Sequence, residues 1–129
     1  MSAFSDALSV TSSGLKAQAN RLRVVSENIA NVDTPGYRRK SIPFELERNS
    51  TSLARVEAGQ VSLDKRELER IHDPSHPMAD ESGHYEGSNV NLIIEIADAR
   101  EAQRSYEANL KMFDQTRQMS TGLMDLLRR

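Results

Sequence analysis

The sequence predicts a mainly α-helical protein, with long N- and C-terminal helices that pair as an antiparallel coiled coil and a small β/loop insertion between them. Apolar residues recur at alternating steps of three and four at both ends of the 129-residue chain, which predicts the two helices. All four prolines lie between these stretches, which predicts the insertion. The predicted organisation is a first helix with its turn at 1–36, a middle element at 37–89 and a second helix at 90–129.

The C-terminal stretch 90–127 has no proline, and its first glycine is Gly122. A helix of this length spans roughly 55 Å at about 1.5 Å per residue, too long for the rest of so small a chain to wrap. Ser88 and Asn89 are placed to cap its start. Its apolar stripe has the narrow width of a coiled-coil seam. The predicted seam positions are Leu92, Ile96, Ala99, Gln103, Tyr106, Leu110, Phe113, Arg117, Ser120, Met124 and Leu127.

The N-terminal stretch 4–32 carries the same pattern and is predicted to supply the partner helix. An ordinary amphipathic helix on a local core is the alternative, but two matching narrow seams in one short chain favour pairing. Gly14 is a weak point, costing about 1 kcal/mol relative to Ala. The predicted seam positions are Phe4, Leu8, Thr11, Leu15, Gln18, Leu22, Val25, Ile29 and Val32.

Pairing of the two seams is expected to leave a further strip of the second helix uncovered. A patch that binds a different patch on the next copy gives rings when the contacts close and helical filaments when they do not. The pattern therefore favours an assembling structural subunit. The residues expected to stay uncovered are Ile93, Ala97, Ala102, Ala108, Met112, Met119 and Leu123.

The first helix is predicted to stop at residues 31–37. Pro35 disfavours helical geometry at Thr34. Pro35 and Gly36 then occupy the two central positions of a type II turn. Asn31 and Asp33 can bond local backbone groups. The segment predicts a helix stop followed by a chain reversal.

Three cations follow the turn, at Arg38, Arg39 and Lys40. One interpretation is a phosphate or nucleic-acid contact, and the other is a solvated or salt-bridged cluster beside the turn. The chain has no second basic cluster with interleaved aromatic residues, and its net charge is −2. The solvated or salt-bridged interpretation is therefore favoured, and nucleic acid is not an expected partner.

The middle of the chain predicts two to four short strands. Ile42, Phe44 and Leu46 alternate with polar residues, as in a strand with one apolar face, and Pro43 favours a sheet edge. The apolar residues between 53 and 63, with Gly59 among them, predict a short hairpin. Residues 65–70 are charged and ambiguous.

All three histidines, His72, His76 and His84, lie in one segment rich in Pro, Asp and Ser. A metal site is one interpretation. However, Pro74 and Pro77 exclude the helix that would bring the first two imidazoles to one face, so a rigid loop is favoured. No nucleophilic triad or phosphate-binding loop appears elsewhere, and nothing argues for an enzyme.

The chain has no cysteine, which excludes disulfides and thiolate metal sites. Residues 1–10 lack the basic and apolar regions of a secretory signal peptide, and no stretch is apolar enough for a transmembrane helix. The protein is expected to stay in the cytosol or to leave the cell by a route that does not read such a signal.

Three segments together resemble one family. Residues 27–40, ENIANVDTPGYRRK, are similar to the N-terminal signature shared by bacterial flagellar rod and hook axial proteins. Residues 73–83, DPSHPMADESG, and residues 102–109, AQRSYEAN, resemble the middle loop and C-terminal helix of a proximal-rod member. The resemblance covers essentially the whole chain.

The resemblance implies a structural subunit of the basal-body proximal rod, which polymerises through its terminal helices into the shaft that transmits torque. It implies export through the flagellar type III apparatus without a cleaved signal peptide, and a place in the periplasmic part of the flagellum. The implied partners are copies of itself, other rod proteins, and ring and export-gate components at the rod base. No catalytic activity, cofactor, metal or small-molecule substrate is expected.

The resemblance and the predicted seams together assign an assembly interface. The resemblance implies that the assigned residues between 28 and 37 shape the chain reversal and its subunit contacts. It also implies that Tyr106 and Asn109 lie in the packing surface of the second helix. The assigned residues are Leu8, Leu15, Leu22, Asn28, Ile29, Asn31, Thr34, Gly36, Tyr37, Leu92, Ile96, Tyr106, Asn109, Leu110, Phe113 and Met124.

Three other interpretations stay open at this point. A different rod subunit of the same family would be distinguished by the loop around His76 and Asp80. A small metal-dependent enzyme would use His72, His76 and His84. A binder of nucleic acid would act through the cations at 38–40.

Overall fold

The computed structural model describes residues 3–47 and 53–128. It contains two long helices, α1 (Ala3–Ala30) and α2 (Leu92–Leu127). Between them lie six short strands, in three antiparallel pairs: β1 (Lys40–Ser41), β2 (Phe44–Leu46), β3 (Val56–Ala58), β4 (Ser62–Leu63), β5 (Arg70–His72) and β6 (His84–Glu86). The mainly helical class with a small β insertion is therefore confirmed. In the described part of the chain, neither helix is long and apolar enough to span a membrane.

The two helices run side by side in opposite directions. Going backwards along α1, Asn28 contacts Glu95, Arg21 contacts Asp98, and Gly14 approaches Asn109. Along these three contacts the residue number decreases in α1 while it increases in α2, so the two helices are antiparallel. The described residues that are both hydrophobic and fully buried are small: Ala17, Val24, Val25 and Ala102.

The N-cap of α2 differs from the prediction. Asn91 is the N-cap, and its side chain accepts hydrogen bonds from the backbone N–H groups of Ile93 and Ile94. Ser88 and Asn89 do not cap the helix because their side chains bind elsewhere. The Ser88 hydroxyl donates to the Val32 carbonyl, and Asn89 Oδ1 accepts from Arg39 N at 2.6 Å.

The reversal after α1 is a type II turn, as predicted. Tyr37 N donates to the Thr34 carbonyl at 3.2 Å, and Gly36, at the third position, has φ 75°. A residue with a side chain is strained at this φ, which explains glycine there. The helix itself ends at Ala30, directly before the predicted stop at residues 31–37.

The predicted hairpin between residues 53 and 63 is wrong. β3 pairs with β2, and β4 pairs with β1, so both strands bind back to the preceding segment. Two residues join β1 to β2, whereas three residues join β3 to β4, so the pairing register shifts by one residue between the two strand pairs. This is a β-bulge, which bends a ribbon without reversing it. Gly59 lies beside the bulge: its N–H donates to the Pro43 carbonyl at 2.8 Å, and an added Cβ would come within 2.9 Å of the Pro43 ring.

Residues 39–47 and 55–64 thus form one bent two-stranded ribbon. It packs on α1 through Val56, whose N–H donates to Ser13 Oγ at 3.2 Å, and through Arg55, which donates to Ser9 Oγ. Phe44 and Leu46, the predicted apolar face, are exposed. A separate hairpin, β5–β6, closes the loop 73–83.

Candidate assembly site

Every second position of the predicted α2 seam lies one residue away from the line of residues that contact α1, which we call the contact line. Glu95, Ala102 and Asn109 face α1, whereas Ile96, Gln103 and Leu110 are exposed. Half of the predicted seam positions thus come one residue after the residues that face α1. Ala102, which was expected to stay uncovered, is fully buried because small residues let the helix backbones approach closely.

The residues that follow the contact line form a shared surface. In α1, Gly14, Arg21 and Asn28 contact α2, and each is followed at once by a large aliphatic residue. Two right-handed helices that run in opposite directions place the residues following their contact lines on the same side of the pair. We call this surface the Leu face: Leu8, Leu15, Leu22, Ile29, Leu92, Ile96 and Leu110.

The Leu face contains much of the interface that the sequence assigned. Its α1 members are half-buried against α2, and its α2 members are 40 to 42% exposed. Met124 is exposed near the end of α2. Tyr106, Asn109 and Phe113 lie outside the Leu face and are half-buried, and Asn109 approaches Gly14 of α1.

A second exposed apolar surface follows α2 on the other side of the contact line. Met112 and Met119 come directly before the half-buried residues Phe113 and Ser120, and Leu126 follows Met119 by one heptad. We call it the Met stripe: Met112, Met119 and Leu126, all at least 55% exposed.

The signature residue Asn28 is buried completely and uses its whole amide. Its Nδ2 donates to the Lys40 carbonyl at 2.8 Å and to Glu95 Oε2 at 3.3 Å. Its Oδ1 accepts from Lys40 N at 2.9 Å and from the Tyr37 hydroxyl at 2.8 Å. Both donors and both lone pairs are satisfied, so one amide fixes the chain that leaves the turn against α1.

Glu95 is the second buried polar group, with no exposed surface. Arg39 donates from Nε to Glu95 Oε1 and from its terminal nitrogen to Asp98 Oδ2 at 3.1 Å. A buried carboxylate is tolerated only with such a partner. Arg21 also lies near Asp98, at 3.8 Å. Asn28, Arg39 and Glu95 form what we call the polar cluster.

The three cations after the turn are all bound within the chain. Arg39 pairs with Glu95 in the polar cluster. Arg38 donates to the carbonyls of Asp64 and Arg66, and Lys40 pairs with Glu27 at 3.1 Å. The hydrogen bond and charge of Lys40 lower the pKa of Glu27. These contacts agree with a salt-bridged cluster.

The remaining signature residues hold the turn. The Thr34 hydroxyl donates to Asn31 Oδ1 at 3.0 Å, and Asn31 Nδ2 donates to the Glu27 carbonyl at 2.8 Å. Gly36 N lies against the carbonyls of residues 86 and 87. Burial raises the pKa of Tyr37. Thr34 and Gly36 are exposed, while Asn31 and Tyr37 are half-buried.

The histidines are used within the loop 73–83 and its hairpin. The His76 ring stacks on Tyr85, with centroids 3.9 Å apart, and His72 contacts His84 at 4.6 Å. Met78 N donates to His76 Nδ1. Among the residues that the structure describes, no group of three or more His, Asp and Glu side chains is arranged to hold a metal ion.

Asp80 organises this loop and has the most perturbed carboxyl group there. The Ser82 hydroxyl and the backbone N–H groups of His84 and Ser82 donate to it and lower its pKa to about 2. Because the folded pKa is below the ordinary 3.8, this carboxylate stabilises the loop above that pH and stops doing so as the pH falls towards 2.

We therefore expect the Asp80 carboxyl resonance to titrate near pH 2 in NMR spectra of the full chain recorded in trimethylamine oxide, which favours the compact state. Ser82→Ala removes the largest cause and should move the midpoint up towards 3.8. Ser75→Ala, which affects Asp73 in the same loop, should leave the Asp80 midpoint in place. An Asp80 midpoint near 3.8 in the unaltered chain would contradict this loop geometry.

The sequence did not identify Glu95, Arg39 and Asp98 as one site. Glu95 interrupts the apolar run from Leu92 to Ile96, and a charge inside an apolar run was the available signal. Asn89, which accepts from Arg39 N, was assigned to a cap instead. Neither residue could be paired with position 39 without knowing the turn.

Two family models match the chain in the regions that build this site. The model of flagella basal body rod proteins matches residues 8–38, and the model of the flagellar basal body rod FlgEFG protein C-terminal region matches residues 81–126. The flagellar basal-body rod protein FlgC of Agrobacterium fabrum is 43% identical over 99% of this chain and 98% of its own length. The chain belongs to the FlgC family of flagellar basal-body rod proteins.

Further FlgC proteins agree over most of the chain. That of Aquifex aeolicus is 33% identical over 88% of this chain and 90% of its own length. That of Borreliella burgdorferi is 32% identical over 93% of this chain and 95% of its own length. The family assignment makes this chain a structural subunit of the flagellar basal-body rod, and it confirms the resemblance seen in the sequence.

Proposed function

We propose that this FlgC-family subunit polymerises through its two helices, with the Leu face packed against neighbouring subunits. The observation that carries the proposal is the distribution of side-chain size. The helix pair buries Ala17, Val24, Val25 and Ala102, while large aliphatic residues of α2, such as Ile96 and Leu110, are exposed. Exposed apolar surface of this extent is typical of an interface.

In this proposal the helices pair as a coiled coil and form one axial domain, residues 1–36 with 90–129, and residues 37–89 project as a separate element. The Leu face and the Met stripe lie on opposite sides of the helix pair. One subunit can then contact two different neighbours, which is the arrangement that extends a filament. Interlocked helices resist shear, so torque passes along the rod.

The partners in this proposal are copies of this chain, other rod proteins, and ring and export-gate components at the rod base. The subunit reaches the periplasmic space through the flagellar type III apparatus, without a cleaved signal peptide. It acts mechanically and not as an enzyme. The family assignment supports this role, and so does the use of His76 and Asp80 in loop contacts within the described residues.

Basal bodies isolated from the source bacterium test this proposal. We expect an epitope-tagged copy of the chain to be found by gold labelling on the rod between the membrane rings. Cells that lack the chain should make no rod beyond its position and should not swim. Normal flagella in the deletion strain, or label confined to the cytoplasm, would refute the proposal.

A further inference from the structure

The contact line between the helices offers little that distinguishes one register from another. Ala17 and Ala102 are buried there, and Gly14 meets Asn109. The pattern repeats at heptad spacing, so sliding one helix by seven residues would again bring small residues together. The exposed ion pair of Arg21 with Glu101, at 3.6 Å, contributes little to the choice.

The polar cluster is the feature of this line that does not repeat. Asn28 and Glu95 are each fully buried and contact each other directly. Seven residues further along α2 the corresponding position is Ala102, which cannot accept a hydrogen bond with its side chain. A slip by one heptad would leave Glu95 without Asn28, and the polar groups of Asn28 would face a methyl group.

We propose that the Asn28–Arg39–Glu95 cluster sets the register of the helix pair. A single buried polar position is a known means of fixing register in paired helices, at a cost in stability. Arg39 is not part of either helix, because it follows the type II turn. The helices therefore reach their register only when the turn after α1 has formed, and the ribbon that begins at Lys40 leaves the helix pair at a fixed height.

Disulfide cross-linking measures the register directly, because the chain has no cysteine of its own. Gly14→Cys with Asn109→Cys reports the observed register. Gly14→Cys with Ala102→Cys, or with Thr116→Cys, reports a slip of one heptad in either direction. Each pair is oxidised in a glutathione buffer with trimethylamine oxide, which favours the compact state, and is scored on non-reducing gels.

With the cluster intact, we expect the observed register to be cross-linked at least about tenfold more than either slipped register, as the penalty for an unpaired buried charge implies. Arg39→Met with Glu95→Leu replaces the ion pair by apolar groups and leaves Asn28 bound to Lys40 and Tyr37. In the same trimethylamine oxide buffer, we expect this variant to keep the helical circular dichroism of the parent and to lose the preference, with the three pairs cross-linking to within about threefold.

Glu101→Gln is the matched control, since it removes a carboxylate of α2 that is largely exposed, and the preference should persist. Equal cross-linking of the three pairs in the parent would overturn the proposal. An undiminished preference in the double variant would do so too. Should the double variant lose its helices, Glu95→Ala decides: alanine favours the helix and, as at position 102, accepts no hydrogen bond with its side chain, so an undiminished preference there overturns the proposal.

Discussion

The isolated full-length chain is expected to be only weakly helical in dilute solution and to melt over a broad temperature range. Its fully buried hydrophobic residues, within the described ranges, are two alanines and two valines. Long helices depend on packing for their stability, and this pair packs one narrow line of small side chains. The polar cluster adds the cost of desolvating Glu95. The large apolar residues that are exposed, such as Ile96 and Leu110, stabilise the fold only when a neighbour covers them.

Far-UV circular dichroism as a function of protein concentration checks this expectation. The signal at 222 nm should increase as sedimentation shows association, because covering the Leu face stabilises the helices. Trimethylamine oxide should raise the signal at constant concentration. A fully helical monomer with a sharp, concentration-independent transition would show that the pair is stable alone, and it would remove the physical reason for assembly.

The ends of the helices could be predicted closely from the sequence. Pro35 and Gly36 set the end of the first helix and the turn, and the structure has both where local chemistry puts them. Local signals succeed here because a turn residue acts on its own backbone. The predicted N-cap of α2 was wrong for the opposite reason. Ser88 and Asn89 have good capping side chains, but tertiary partners bind them.

The facing residues of the helices were harder to predict. The rule that the largest apolar residues occupy the seam assumes that the pair is the final structure. Here Ala102 and Asn109 face α1, while Ile96 and Leu110 do not. A chain that serves two interfaces can use small residues inside and large ones outside, and the period alone does not say which is which.

The middle element shows the same limit. The strand residues were recognised around Phe44 and Val56, but their partners were not. Gly59 reads as a turn in the sequence, whereas in the structure it allows close approach at a bulge. Pairing depends on residues far apart in the chain, such as Lys40 with Leu63, and no local pattern records that contact.

The polar cluster explains why the 27–40 signature combines a turn with charged and amide residues. The Asn28 amide hydrogen-bonds the backbone of Lys40, and Arg39, which follows the turn, forms an ion pair with Glu95 of α2. The signature thus joins three elements, α1, the ribbon and α2, at one point. A helix stop alone would need only Pro35 and Gly36.

A charge on the Leu face is expected to abolish swimming. Leu22→Asp in α1 and Leu110→Glu in α2 each place a carboxylate on a surface that the proposed assembly makes dry, and burying an unpaired charge is prohibitive. Each variant should be expressed and exported normally but should be absent from isolated basal bodies. Motility in soft agar and immunoblots of basal bodies measure the effect in a strain that lacks the parental chain.

Two variants on the same helices separate this effect from a general effect of charge. Ser12→Asp in α1 and Gln118→Glu in α2 alter exposed residues outside the Leu face, and both should support swimming. Leu22 is half-buried against α2, so its substitution also weakens the pair, whereas Leu110 is 40% exposed and its substitution acts mainly on a neighbour. If Leu110→Glu cells swim normally, this surface does not contact another subunit, whatever Leu22→Asp does.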